Sequence, residues 1–324
     1  MGSTGGRGTR GALTRAGGLR LVPYTRTTFR AGDPHSGYYF DLRPKALAGG
    51  PGPEDALLEL EQLTSSRTDA NPVAVVQLGL GAWQLGREEW LPVVAAVATW
   101  LGSEMDDQGR IPYLFAMPHT YRLSPPWYSS LAQGETSSLL VRAAKTLRRA
   151  EFREAADRAI CSLLDPTLGL VVETPEGPVL QEYPTAPRSH VLNGWIASLW
   201  GLYDVSRDAM GDAETAAAAM NAFVAGVHCL SRRLPMYRLA LGWSRYDLVP
   251  HVLANVASPS YHRLHIGHLE ALAELAPEPS FSRIAAEWRR AAVRPDARAL
   301  ALGRKVAFRI ARPRSRRAQA LRGL

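Results

Sequence analysis

What most constrains this chain is a succession of helix-length stretches, from Pro53 to about residue 292, in which apolar residues recur at helical spacing. Pro53-Glu54-Asp55 opens one that carries Leu57, Leu58, Leu60 and Leu63 on one side. Asn71-Pro72 reads as an N-cap followed by proline at the first helical position, and Val73 to Leu85 continue it. Further helices are predicted over about 87–102, 128–147, 150–164, 189–206, 212–232, 260–275 and 279–292. Their apolar faces are broad and rich in Ala, Leu and Trp, and no fixed-period repeat is present. So many helices joined by loops predict a mainly α fold, an α/α toroid of helical hairpins, although an orthogonal bundle would show the same pattern.

Two stretches break the helical rule. In Gly169 to Tyr183, β-rich runs flank Pro175-Glu176-Gly177, which is the signal of a β-hairpin. Its exit would deliver Glu182 and Tyr183. The irregular stretch 241–260 carries Trp243, Arg245, Tyr246 and Asp247, and sites commonly sit on such connections above a helical scaffold. Gly37 to Leu42 could form a short strand. Residues 1–30 read as a disordered basic N-terminus, 31–295 as the folded domain and 296–324 as a basic tail.

The net charge of +8 belongs to the ends. Residues 1–31 carry six Arg and residues 301–324 carry eight Lys/Arg, both without an acid; removing them leaves −6 for the body. The body is therefore not a nucleic-acid-binding surface. The basic tail could make a weak contact with an anionic membrane face, with Val306, Phe308 and Ile310 as its apolar side. The most apolar run, Leu91 to Leu101, is too short to span a bilayer. The Gly- and Arg-rich N-terminus lacks a signal-peptide core, so a cytoplasmic location is expected. Cys161 and Cys229 are read as buried free thiols. A homodimer is among the partner expectations.

Several runs together resemble the D-glucuronyl C5-epimerase family. They are Asp106-Asp107-Gln108-Gly109, Pro125 to Gly134, Leu140 to Ala143, Glu182 to Pro187, Val191 to Gly194, Leu202-Tyr203-Asp204, Tyr246-Asp247-Leu248, and Tyr261-His262 with His265-Ile266. The resemblance covers roughly residues 70–290. It implies an α/α-toroid domain that converts glucuronic acid to iduronic acid within a heparosan-type polysaccharide, without cofactor or metal. The family's proposed acid/base pair falls on Glu182 and Tyr261, and two further site tyrosines fall on Tyr183 and Tyr246. There are departures. Animal members carry an N-terminal β-region that this chain is too short to contain. The family's Arg-His after Tyr-Asp-Leu is replaced by Val249 and Pro250, with His251 next. The loop before Tyr261 is shorter and lacks an expected arginine.

The chemistry explains why such residues are needed. The C5 proton of a uronate lies beside a carboxylate, so its removal builds a second negative charge that the site must neutralise. Arg188, Arg245 and Arg263 are the candidate cations. Glu182 could take the proton on one face if burial raises its pKa, and Tyr261 could return one on the other. Trp127 and Tyr128 could stack on sugar faces. Gln133 and Asn193 could bind sugar hydroxyls or pack helices together. His262 and His265 could orient Tyr261 or cap the site. His262, His265 and His268 share a three-residue spacing but lack an acidic ligand among them and any HExxH pattern, so no metal is expected. Two rival readings remain open: a polysaccharide lyase that starts from the same proton loss, and a non-catalytic glycan-binding protein.

Overall fold

The computed structural model describes residues 25–117 and 120–313. The fold is mainly α. Four helical hairpins follow one another: α3 (Pro72–Leu85) with α4 (Leu91–Glu104), α5 (Ser130–Leu147) with α6 (Ala150–Leu164), α7 (Leu192–Arg207) with α8 (Ala213–Arg233), and α9 (Pro259–Leu275) with α10 (Pro279–Val293). A short α1 (Arg43–Ala46) and α2 (Pro53–Thr64) precede them, and α11 (Pro295–Ala311) follows. The first members α3, α5, α7 and α9 pack side by side in that order, and the second members lie outside them. This two-layered winding of hairpins is the toroid pattern. Burial explains the layering: α5 and α7 are buried on nearly every side, whereas α8 and α10 bury one face only.

The inner helices begin at polar caps. Asn71 accepts from the Val73 N–H, Ser129 from Ala132, and Ser258 from Tyr261. The α5–α7 crossing is close because it is glycine-lined: a Cβ on Gly201 would meet the Gly134 Cα at 2.5 Å. Residues 37–42 run across the other end of the inner layer. Tyr38, Tyr39, Phe40 and Leu42 are buried there. Tyr39 stacks on Trp200 of α7, Phe40 lies 5.3 Å from His268 of α9, and the Gln84 side chain of α3 bonds to Leu42 N and Phe40 O. Arg142 of α5, with Asp204 of α7 as its ion-pair partner, holds the Gly37 carbonyl. The short strand expected here is reduced to a single bridge, Arg26 to Phe40.

The hairpin is present as β1 (Val171–Thr174) and β2 (Gly177–Leu180), antiparallel, with Val171 opposite Leu180. Gly177 takes φ +124, a conformation that side chains rarely adopt, at the point where the turn closes. Three expectations need correction. The segment 296–324 is not simply a tail, because 295–311 form α11, whose Ala297, Ala301 and Phe308 are buried and whose Lys305 and Arg309 turn inward to bond Asn255 and Thr120. Cys161 is exposed, so only Cys229 is a buried thiol. The N-terminal 1–30 stretch lies mostly outside the described residues, yet its last part pairs with the fold through Arg26. No helix of the described residues is long and apolar enough to cross a membrane.

Candidate active site

The N-terminal ends of α3, α5, α7 and α9 meet at one end of the inner layer. Four helix starts bring partial positive charge and unsatisfied N–H groups to one place, which favours an anionic ligand there. The hairpin feeds this end directly. After β2 the chain turns inward, the Ser130 N–H donates to the Gln181 carbonyl, and Glu182 follows at 4% exposure. The loop from 181 to 191 is tied down by its own groups. Ser189 Oγ donates to Tyr183 O, Thr185 Oγ1 to Pro187 O, and the Tyr237 hydroxyl to His190 O. His190 sits at φ 45, so this loop carries backbone strain beside the site.

Glu182 lies against the first turn of α7. Asn193 donates to it at 3.3 Å and the Tyr183 hydroxyl donates to it as well. Room for it exists because residue 194 has no side chain: a Cβ there would meet Glu182 Oε2 at 2.3 Å. Burial, opposed by these hydrogen bonds and aided by the charge of Asp247, pushes the Glu182 carboxyl up to about 7. Tyr261 stands in the first turn of α9 and meets the Tyr246 ring edge to face at 4.8 Å. Burial first, and then the charges of Glu182 and Tyr261, raise the Tyr183 and Tyr246 hydroxyls well above their usual range. Tyr246, packed on Tyr261, also takes the Leu192 N–H on its carbonyl at the start of α7, where Asn193 holds Glu182, so these residues share one region. A shelf of rings extends this space: Tyr121 stacks on Tyr183 at 4.3 Å and Tyr113 on Trp127 at 3.8 Å.

An arrangement of one neutral-range carboxyl among phenols suits proton transfer at carbon. The family model for the D-glucuronyl C5-epimerase C-terminus matches residues 105–290. The chain belongs to the D-glucuronyl C5-epimerase family. A D-glucuronyl C5-epimerase of Caenorhabditis elegans is 33% identical over 217 residues, covering 62% of this chain and 35% of that protein. The chain thus spans about a third of the length of that relative.

Within this epimerase-family scaffold, the expected site residues divide. Glu182, Tyr183, Tyr246, Tyr261 and Asn193 come together. Trp127 is a wall and not an open platform: it is 4% exposed, lies under Tyr113 and donates its indole N–H to Phe115 O. Tyr128 faces outward, bonded to Asp106 and lying beneath the Arg110 guanidinium. Gln133 is a strut and not a sugar ligand, because its amide is consumed by Ile111 N, Gly109 O and Ser162 Oγ. His262 and His265 do not cap the site. Both bond through Nδ1 to Ser244 Oγ, and His262 also reaches Trp288 O, so they fasten the 244 loop and α10 to α9. Burial depresses both rings, His262 to about 4. His268 packs against Phe40 and Trp200 instead of joining them. Among the described residues no group of three His, Cys, Asp or Glu side chains could hold a metal. Arg188 and Arg263 are exposed, and Arg245 donates to Val249 O.

Other residues of the site were not foreseen. Tyr121 donates to Asp247 Oδ2 at 2.7 Å, and Asn255 donates to the same oxygen. Lys305 of α11 donates to Asn255 Oδ1 at 2.9 Å and Val256 O at 2.7 Å. Glu135 on α5 is fully buried and pushed up to about 8 by burial, with Gln77 and Lys45 opposing the rise. The aromatic run between Asp106 and Trp127 was a usable signal for Tyr113 and Tyr121. No local signal marks Lys305.

Proposed function

We propose that this chain epimerises D-glucuronic acid residues at C5 within a heparosan-like polysaccharide, giving L-iduronic acid. Glu182 is the base on one face of the sugar ring, and the Tyr261 hydroxyl returns a proton to the other. The observation that carries this reading is a buried carboxyl poised near neutrality among tyrosine hydroxyls that burial keeps protonated. A carboxyl at about 7 is half ionised at neutral pH, so it can both accept and release a proton. Inversion requires two groups because one base would return its proton to the side it came from. As C5 loses its proton, charge moves onto the carboxylate oxygens. Tyr183 and Tyr246 are neutral donors suited to that charge, and the four helix starts add a fixed positive field. The polymer is the partner of this site. The C. elegans relative named D-glucuronyl C5-epimerase supports the choice of glucuronate.

The test is incubation with heparosan in deuterated water, with C5 read by mass spectrometry and proton NMR. Deuterium at C5 together with iduronate is expected. An ultraviolet-absorbing unsaturated uronate would show a lyase instead. Tight binding without exchange would show a glycan-binding protein.

A further inference from the structure

A helix on a protein surface normally turns its charges to water. The helix α11 does the reverse. Its inner side holds Ala297, Ala301 and Phe308, and two of its cations bend toward the fold, Lys305 to Asn255 and Val256 and Arg309 to Thr120. Its outer side is apolar. Leu302, Val306 and Ile310 are 57%, 50% and 57% exposed, and their spacing of four residues makes them one row along the helix. Ala299, Gly303 and Ala307, also exposed, widen the row into a strip without a charge in it. The expected apolar side of Val306, Phe308 and Ile310 is thus corrected: Phe308 is buried against His251, and Leu302 stands in its place.

We propose that α11 docks the protein on an anionic membrane surface, with the Leu302–Val306–Ile310 row entering the headgroup boundary. The helix has 17 residues and is not apolar enough to cross a bilayer, so it would lie along the surface. A second apolar projection stands beside it: Val252 is fully exposed, next in the chain to the His251 that packs on Phe308. The charge fits this partner. The one acid of α11, Asp296, is paired with Arg294, and residues 301–324 carry eight Lys/Arg and no acid. Arginine stems can reach lipid phosphates while the row goes deeper. Other occupants fit less well. A second copy would bring its own cations against these, and like charges would oppose the pairing. A polyanionic chain needs charge where the row presents methyl groups. Docking also has a consequence for the site. Lys305 of α11 lies 5.8 Å from the centre of the Tyr246 ring, so the docked helix would hold the catalytic end of the fold at the membrane.

The test is co-sedimentation of the full chain with two kinds of vesicle, phosphatidylcholine alone and phosphatidylcholine with about one-third phosphatidylserine. Wild type should bind the anionic vesicles at least about tenfold more tightly than the neutral ones and should leave them at high salt. The double variant Leu302→Gln, Val306→Gln should lose about tenfold or more of that affinity, and Arg304→Gln about fivefold. All three positions are exposed, so the melting temperature should stay at the wild-type value. A double variant that binds like wild type would assign the attraction to the charges alone and overturn the inference. Binding to neither vesicle would overturn it, as would equal binding to both. A dimer in sedimentation velocity that the double variant abolishes, with vesicles ignored, would give the strip to a second copy instead.

Discussion

The two ends of α7 hold buried carboxylates in opposite circumstances. At the C-terminal end, Asp204 is paired with the fully buried Arg142 at 2.6 Å and also accepts from the Tyr39 hydroxyl. Asp208 nearby lies against Arg153 and His35, whose bonds hold its carboxyl below the usual range despite burial. At the N-terminal end, Glu182 has an amide and a phenol for partners and is pushed up to about 7. One helix thus has an end where each charge is matched and an end where a charge is kept mismatched. The matched end holds the fold shut, and the mismatched end can exchange a proton. Buried carboxylates without cations are costly to keep, so their clustering at one end marks where chemistry is done.

The comparison can be broken most sharply at Glu182. Glu182→Gln should cut C5 exchange about a thousandfold while leaving the melting temperature unchanged or higher, measured by deuterium uptake and calorimetry. In wild type, kcat/KM should rise with pH through about 7, because the base must be ionised and its folded pKa lies there. At the matched end the reverse is expected: Arg142→Met leaves Asp204 alone and should cost about 3–5 kcal/mol in urea unfolding.

Glu135 sharpens the contrast through pH. Its pKa is raised from 4.5 to about 8, so the folded state holds its proton more tightly than the unfolded chain. Its contribution is fully present below pH 4.5 and is lost as pH rises through about 8. Stability should fall by roughly 2–4 kcal/mol across that window, and Glu135→Gln should flatten the slope in unfolding curves taken at several pH values. The last effect is geometric. Gly194→Ala places a methyl 2.5 Å from the Glu182 Cβ and should lower kcat about tenfold with KM little changed, at a cost of about 1–3 kcal/mol in unfolding curves.

The helices were legible because caps and periodicity act locally. Asn71-Pro72 announces a start, and the predicted spans match the observed ones to within a few residues. The turn signal placed Glu182 at a hairpin exit, where a carboxylate is more often exposed, and it was the family resemblance that singled it out. For Gln133, His262 and His265 the sequence left two roles open, for a physical reason. A polar side chain on an apolar helix looks the same whether it meets a ligand or a backbone carbonyl, and only partners such as Gly109 O, Ser244 and Trp288 O decide between them. Lys305 and Arg309 were taken for tail charges because the residues they meet, Asn255 and Thr120, lie 50 and 189 positions away.

The crossing of residues 37–42 beneath the inner helices also bears on how the chain assembles. Tyr39 closes on a residue 165 positions later, and Phe40 on α9, later still. This segment is made before the hairpins that it touches, yet its seat exists only once α9 has formed. Loop closure over that distance makes docking a late and slow event. Until then three consecutive aromatic side chains remain uncovered during synthesis, and this is the stretch through which an unfinished chain would be most exposed to misassociation.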